Sequence, residues 1–146
     1  MSDEIILSNE VIRFVIPGAP VGKGRPRFVR QTGRTYTPEK TVNYENLVKL
    51  MYNEQTNRHY FDRNCELAMR IDARFAIPKS ASKRARHEME LGIKRPTSRP
   101  DADNLIKSIA DSLNGLAYHD DSQIVYVEAT KHYGDPPQTI VTLWAL

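Results

Sequence analysis

From residue 67 to residue 76 the chain alternates. Leu67, Met69, Ile71, Ala73 and Phe75 fall on one side, and Ala68, Arg70, Asp72 and Arg74 on the other. Period two predicts a strand with one buried face and one at least partly wet face, stopped by Pro78. The same reasoning puts a first strand at 11–16 (VIRFVI) and a last one at 139–144. Between them lies a long strand where Val125, Val127 and Ala129 alternate with Ile124, Tyr126 and Glu128. Residues 132–138 contain Gly134, Asp135, Pro136 and Pro137, which predicts the connection between the last two strands.

A longer period governs two other stretches. Tyr44, Leu47, Val48, Met51 and Tyr52 form one apolar stripe, which predicts a helix over 38–56 with Thr37 as N-cap and Pro38 as first helical residue. After Pro100, Leu105, Ile109, Leu113 and Leu116 recur every three or four residues, helped by Ile106 and Ala110. That is a core-facing stripe, with Asp103 the expected cap, Asp101 the alternative, and Asn114-Gly115 the stop. Elsewhere the chain is broken. Prolines and glycines interrupt 17–27, while 27–30 and 34–37 suit a short hairpin around Gln31-Thr32-Gly33. Ser80 is the expected cap of a short charged helix ending before Gly92, and 93–100 a loop. The elements predict an α+β fold: a single compact domain over 1–146, with a mixed or largely antiparallel sheet and two principal helices packed on it.

With 146 residues, 40% of them hydrophobic, the chain suffices for one core and not two. It has no apolar run of about 18 residues and no secretory leader pattern, so neither a membrane nor export is expected. The single cysteine, Cys65, is expected to be a buried or half-buried strand residue, and a reducing cytoplasm the setting. Tyr36, Tyr44 and Trp144 are expected in core or subunit packing rather than stacked on a ligand.

Charge changes this picture because it is segregated. Residues 13–40 carry seven Lys or Arg against Glu39 alone, and 79–99 carry seven against Glu88 and Glu90. Between this second block and the penultimate strand, Asp101, Asp103, Asp111, Asp120 and Asp121 gather with one cation, Lys107. Basic flanks around an acidic centre suit a polyanion held by its backbone while the acids act on it. The acidic knot admits several readings. Asp103 caps a helix and Asp101 is solvated, or Asp101, Asp103 and one or both of Asp120 and Asp121 offer hard oxygen ligands to Mg²⁺ or Mn²⁺. Lys107 is an i,i+4 partner of Asp103, or offsets charge developing on a phosphoryl oxygen. Asn104 is a helix-start polar residue or a positioning amide, and Asp111 is expected to pair with Lys107. His119 stands alone among harder ligands, which gives no zinc pattern. The loop Gly22-Lys23-Gly24-Arg25-Pro26-Arg27 lacks Walker spacing; it is a solvated loop, or one whose backbone approaches phosphate while Lys23, Arg25 and Arg27 neutralise it.

Four segments in order, GKGRPR at 22–27, RPDADNLIK at 99–107, DSLNG at 111–115 and DDSQI at 120–124, make the chain one that resembles the RusA family of Holliday-junction resolvases. The resemblance implies Mg²⁺-dependent cleavage of four-way DNA junctions by a homodimer, in recombination and repair. It implies essential roles for Asp101, Asp103, Lys107 and Asp121, with Asp120 adjacent, Asn104 following the second aspartate, and Lys23, Arg25 and Arg27 holding DNA. Paired nicks leaving 5′-phosphate and 3′-hydroxyl ends are then expected. The alternatives are a non-catalytic branched-DNA-binding protein, or a metal-dependent nuclease preferring flaps, forks or RNA/DNA hybrids.

Overall fold

The computed structural model describes residues 10–146. Among the described residues six strands form in chain order: β1 Val11–Pro17, β2 Arg27–Val29, β3 Arg34–Tyr36, β4 Leu67–Phe75, β5 Ile124–Tyr133 and β6 Gln138–Ala145. Three helices of eight residues or more lie between them: α1 Glu39–Thr56, α2 Lys83–Glu90 and α3 Ala102–Ser112. Four strands make one mixed sheet in the order β1-β6-β4-β5, antiparallel except for the β4–β5 pair. A parallel neighbour requires a crossover. Here the crossover from β4 to β5 carries α2 and α3. The hairpin β2–β3 forms a separate two-stranded ribbon.

The expected α+β class, mixed sheet and two principal helices are therefore present. Leu67, Met69, Ile71 and Ala73 of β4 are fully buried, as are Ile16 of β1 and Val141 and Leu143 of β6. Val48 and Tyr52 of α1 and Ile109 of α3 close over them, together with Leu113 and Tyr118 just beyond α3. Each buried Val, Leu, Ile or Met contributes about 1.5–3 kcal/mol by leaving water, so the α3 stripe alone fixes which side of that helix faces out. Gln55 of α1 reaches the β1 backbone, its amide donating to the Val15 carbonyl at 2.7 Å and its oxygen accepting from the Val15 N–H at 2.8 Å. Free backbone groups of the sheet edge are thereby satisfied. Among the described residues no helix is long and apolar enough to cross a membrane.

Local boundaries differ where competing hydrogen bonds decide them. Thr37 does not cap α1; Pro38 takes that position without a side-chain bond, and its carbonyl accepts from Thr41 and Val42. Ser82 rather than Ser80 caps α2, accepting from the Ala85 N–H at 3.1 Å, because a turn closed by Ala81 N–H to the Pro78 carbonyl occupies the preceding residues. Strand β5 continues to Tyr133, held by its register against Phe75, which shortens the last connection to 134–137. Cys65 is half-buried just before β4 rather than within it. Tyr44 is buried as expected and donates to Thr139 Oγ1 at 3.3 Å, whereas Trp144 is half-buried outside the core cluster, 6.3 Å from the exposed Tyr126 ring. Tyr36 does not join the core: it is exposed on the hairpin, which has no apolar layer beneath it.

Candidate active site

Helix α3 buries Leu105, Ile109 and Ala110, so the row Asp103, Lys107 and Asp111 is left facing outward. At its start Asp101, not Asp103, occupies the N-cap position with extended backbone, and its carbonyl accepts from the Leu105 N–H at 3.0 Å. Its side chain makes no capping hydrogen bond. Asp103 lies in the first turn instead. Both carboxylates are exposed at the positive end of a helix dipole, where negative charge is favoured.

Against this helix start lies the glycine-rich loop. Gly22 packs so closely that a Cβ there would stand 2.8 Å from Pro100 Cβ and 3.2 Å from Asn104 Cβ, and the Lys23 N–H donates to the Asn104 carbonyl at 3.2 Å. The Gly24 N–H donates to Thr41 Oγ1 at 3.1 Å, and a Cβ at Gly24 would collide with that hydroxyl. Two glycines thus let one loop dock between α3 and α1. The docking encloses a cleft of about 840 Å³ whose walls include Lys23, Arg25, Arg27, Lys40 and Arg99, with Asp101 and Asn104 at the helix start. Five cations face one carboxylate, an arrangement that attracts a polyanion.

Those cations are not equivalent. Arg25 and Arg27 are exposed and form no ion pair among the described residues. Lys23 is half-buried, its Nζ 2.6 Å from Glu45 Oε2 on α1 and 3.4 Å from Asp111 Oδ2 on α3. Burial works against its charge, but the Glu45 hydrogen bond and the two carboxylates outweigh it and hold the Lys23 pKa above the ordinary lysine value. Asp111 therefore pairs with Lys23 and not with Lys107, because the docked loop brings a cation that local helix spacing does not reveal. Lys107 is exposed, without an ion pair among the described residues.

The far end of α3 is organised differently. The Asp121 N–H donates to Asn114 Oδ1 at 2.8 Å and the Asn114 amide donates to Asp121 Oδ2 at 3.4 Å. Asp120 caps the short 3₁₀ turn Asp121–Gln123, accepting from the Ser122 N–H at 3.0 Å, while Gln123 accepts from Asp120 N–H at 3.1 Å. These bonds separate two adjacent acids. The Ser122 hydrogen bonds hold Asp120 below the usual carboxylate value. Burial first, then the Asp120 and Asp111 carboxylates, push Asp121 above it, against the lowering effect of Asn114.

Asp121 thus packs beside Asp111 and Asn114, whereas Asp101 and Asp103 belong to the other end of a helix whose axis rises about 12 Å from residue 103 to 111. Among the described residues no three His, Cys, Asp or Glu side chains group to hold one ion. The donors themselves, carboxylate and amide oxygens, fit a hard divalent cation and not zinc. Mg²⁺ commonly takes one or two carboxylates and completes its shell with water and substrate phosphate, and the exposed carboxylates at this helix start, Asp101 in the cleft wall and Asp103 two residues on, are donors of that kind. Sequence reasoning did not single out Lys40, Thr41, Glu45, Arg99 or Asn114 for their contacts. Thr41 and Glu45 are one helical turn apart, which placed them on a common face but gave no hint of the loop they receive.

A sequence model described as Endodeoxyribonuclease RusA matches residues 17–144. The chain is 30% identical over 136 residues to Uncharacterized protein YqaN of Bacillus subtilis (strain 168), covering 92% of this chain and 96% of that protein. It is 34% identical over 110 residues to Crossover junction endodeoxyribonuclease rusA of Lactococcus phage r1t, covering 75% of this chain and 70% of the phage protein.

Proposed function

The chain belongs to the RusA family of endodeoxyribonucleases, and from that premise we propose that it is a Mg²⁺-dependent nuclease that resolves four-way DNA junctions. The observation that carries this reading is the cleft: cations from the loop, α1 and Arg99 converge where the Asp101 side chain leaves its capping bonds unmade. Arg25, Arg27, Lys40 and Arg99 hold the phosphate backbone, which positions a strand without reading its sequence. Asp101 and Asp103 would hold Mg²⁺, or Mn²⁺ in its place, with water and substrate phosphate completing the shell, while Asp121, braced by Asn114 beside Asp111, and its turn-capping neighbour Asp120 stay outside that shell. The chemistry such an ion supplies is polarisation of the phosphodiester and acidification of a water for in-line attack. Lys107, one turn beyond Asp103, offsets charge developing on the phosphoryl oxygens, and the Asn104 amide orients the phosphate. Asp111 supports the site from the outward row, fastened to Lys23.

Cleavage on this reading leaves 5′-phosphate and 3′-hydroxyl ends. A homodimer presents two such sites, and its two-fold axis matches that of a junction, so opposing strands are nicked as a pair. The test compares a mobile four-way junction, a flap, a fork, a linear duplex and an RNA/DNA hybrid, each with and without Mg²⁺. Paired symmetric nicks in the junction alone, lost in Asp101→Asn with binding kept, are expected. Cleavage confined to flaps, forks or hybrids replaces the substrate, and junction binding without Mg²⁺-dependent nicking makes the protein a branched-DNA binder.

A further inference from the structure

The ribbon β2–β3 stands outside the four-stranded sheet. Its register sets Arg27 opposite Tyr36 and Val29 opposite Arg34, so those four side chains share one face, and Phe28 and Thr35 share the other. Tyr36 is 50% exposed, with Arg27 and Arg34 exposed beside it. A two-stranded ribbon is marginal in water by itself and gains by ordering against a partner. This one sets Tyr36 opposite Arg27 and two residues from Arg34 on a single face, in a stretch with no acidic residue from Arg13 to Pro38. Such a face complements a nucleic acid: guanidinium groups meet phosphates and the ring meets the face of a base. Arg27 is both the cross-strand neighbour of Tyr36 and a wall of the cleft, so the ribbon face continues the path along which the cleft holds the backbone. Within a duplex the faces of the bases are covered by their neighbours. At a branch a base face opens.

We propose that the β2–β3 ribbon is a branch-reading arm, with Tyr36 stacked on a base exposed at the branch point and Arg27 and Arg34 on the flanking phosphates. This rests on the reading of the protein as a branched-DNA nuclease and adds the residue that recognises the branch. Binding to a junction and to a linear duplex of equal length is compared without divalent metal, so that nicking does not intervene. Tyr36→Ala is expected to weaken junction binding about tenfold and duplex binding by less than about twofold. Its salt dependence stays unchanged, because no charge is removed. Tyr36→Phe retains the ring and restores junction binding; Phe28→Ala, on the opposite face, leaves the junction-to-duplex ratio as it was. Equal losses on both substrates, failure of Tyr36→Phe to restore binding, or an equal loss in Phe28→Ala overturns the proposal.

A second measurement uses the unaltered protein. Irradiating its complex with a junction carrying 5-iodouracil at the branch is expected to crosslink Tyr36, and a crosslink confined to other residues overturns the assignment. Sedimentation of Tyr36→Ala supplies a further check: dissociation of a dimer would give the ring to a second copy of this chain and overturn the arm. If the unaltered protein prefers a flap or fork to the four-way junction, the four-way reading falls. The arm is then scored on that preferred substrate by the same ratio, so the two failures are told apart.

Discussion

The two ends of α3 carry the same residue types and opposite arrangements. At the start, Asp101 makes no side-chain cap, Asp103 is exposed, and the surrounding cations Arg25, Arg27, Lys40 and Arg99 reach into an open cleft. At the end, Asp111 is tied to Lys23 and through it to Glu45, Asn114 braces Asp121, and Asp120 caps a turn. A carboxylate whose lone pairs are consumed within the chain is structural support, and one whose lone pairs remain free is available to a ligand. Asp121 lies between these cases. Its only side-chain donor among the described residues is the Asn114 amide at 3.4 Å, and burial beside two other acids leaves its charge poorly compensated.

The strongest way to break this contrast is to neutralise one acid at each end. Asp101→Asn is expected to lower the rate of nicking by about 10²–10³-fold, the scale of losing one electrostatic contact to the transition state, with junction affinity retained. Asp111→Asn should cost nicking far less. Equal losses in a single-turnover assay would erase the distinction between the two ends.

Next in size is a stability effect. Lys23→Met leaves the Glu45 and Asp111 carboxylates without their cation in a half-buried site, and a drop of about 1–3 kcal/mol in urea unfolding is expected. Arg25→Ala, which removes an exposed cation, should change stability by less than about 0.5 kcal/mol. Its effect belongs to binding instead: a several-fold loss of affinity and a salt slope reduced by about 0.9, the signature of one phosphate contact. A reduced slope in Lys23→Met without loss of stability would show Lys23 to be a phosphate ligand and its ion pairs with Glu45 and Asp111 unimportant.

The smallest effect is a dependence on pH. Lys23 has a pKa raised by folding, so the stability it contributes is complete below the ordinary value of 10.5 and is lost as pH rises through the higher folded value. The gap between the parent protein and Lys23→Met should therefore close in strongly alkaline solution. Buried tyrosines act in the same direction in both proteins, Tyr52 being pushed up to about 12 by burial first, so only the difference between the two curves isolates Lys23. A gap that stays constant from pH 9 to about 12 would remove the ion pairs as its source.

Much of the scaffold was legible because the information is local. The period-two run at 67–76 and the stripe Leu105, Ile109, Leu113 report which side of an element leaves water, and no distant residue is needed to read that. The hairpin around Gly33 was legible for the same reason. Caps were less so: Ser80 and Ser82 are equally good candidates until the turn from Pro78 to Ala81 takes one of them. Whether Tyr36 joins the core was not legible, because an aromatic in a strand usually has a core to join and nothing in its neighbours announces that this ribbon lies outside the sheet.

By itself the sequence determined the period of each main element, the division of charge into basic flanks and an acidic centre, and the motifs that match the family. Only the tertiary structure decided how those charges pair. Lys23 and Asp111 are 88 positions apart, and they meet because Gly22 and Gly24 allow the loop to dock between two helices. The rigid length of α3 likewise decides that Asp101 opens onto the cleft while Asp121 settles at the opposite end. Side-chain periodicity is a property of neighbours along the chain, but an ion pair depends on distance through space, and that distance exists only once the core has packed.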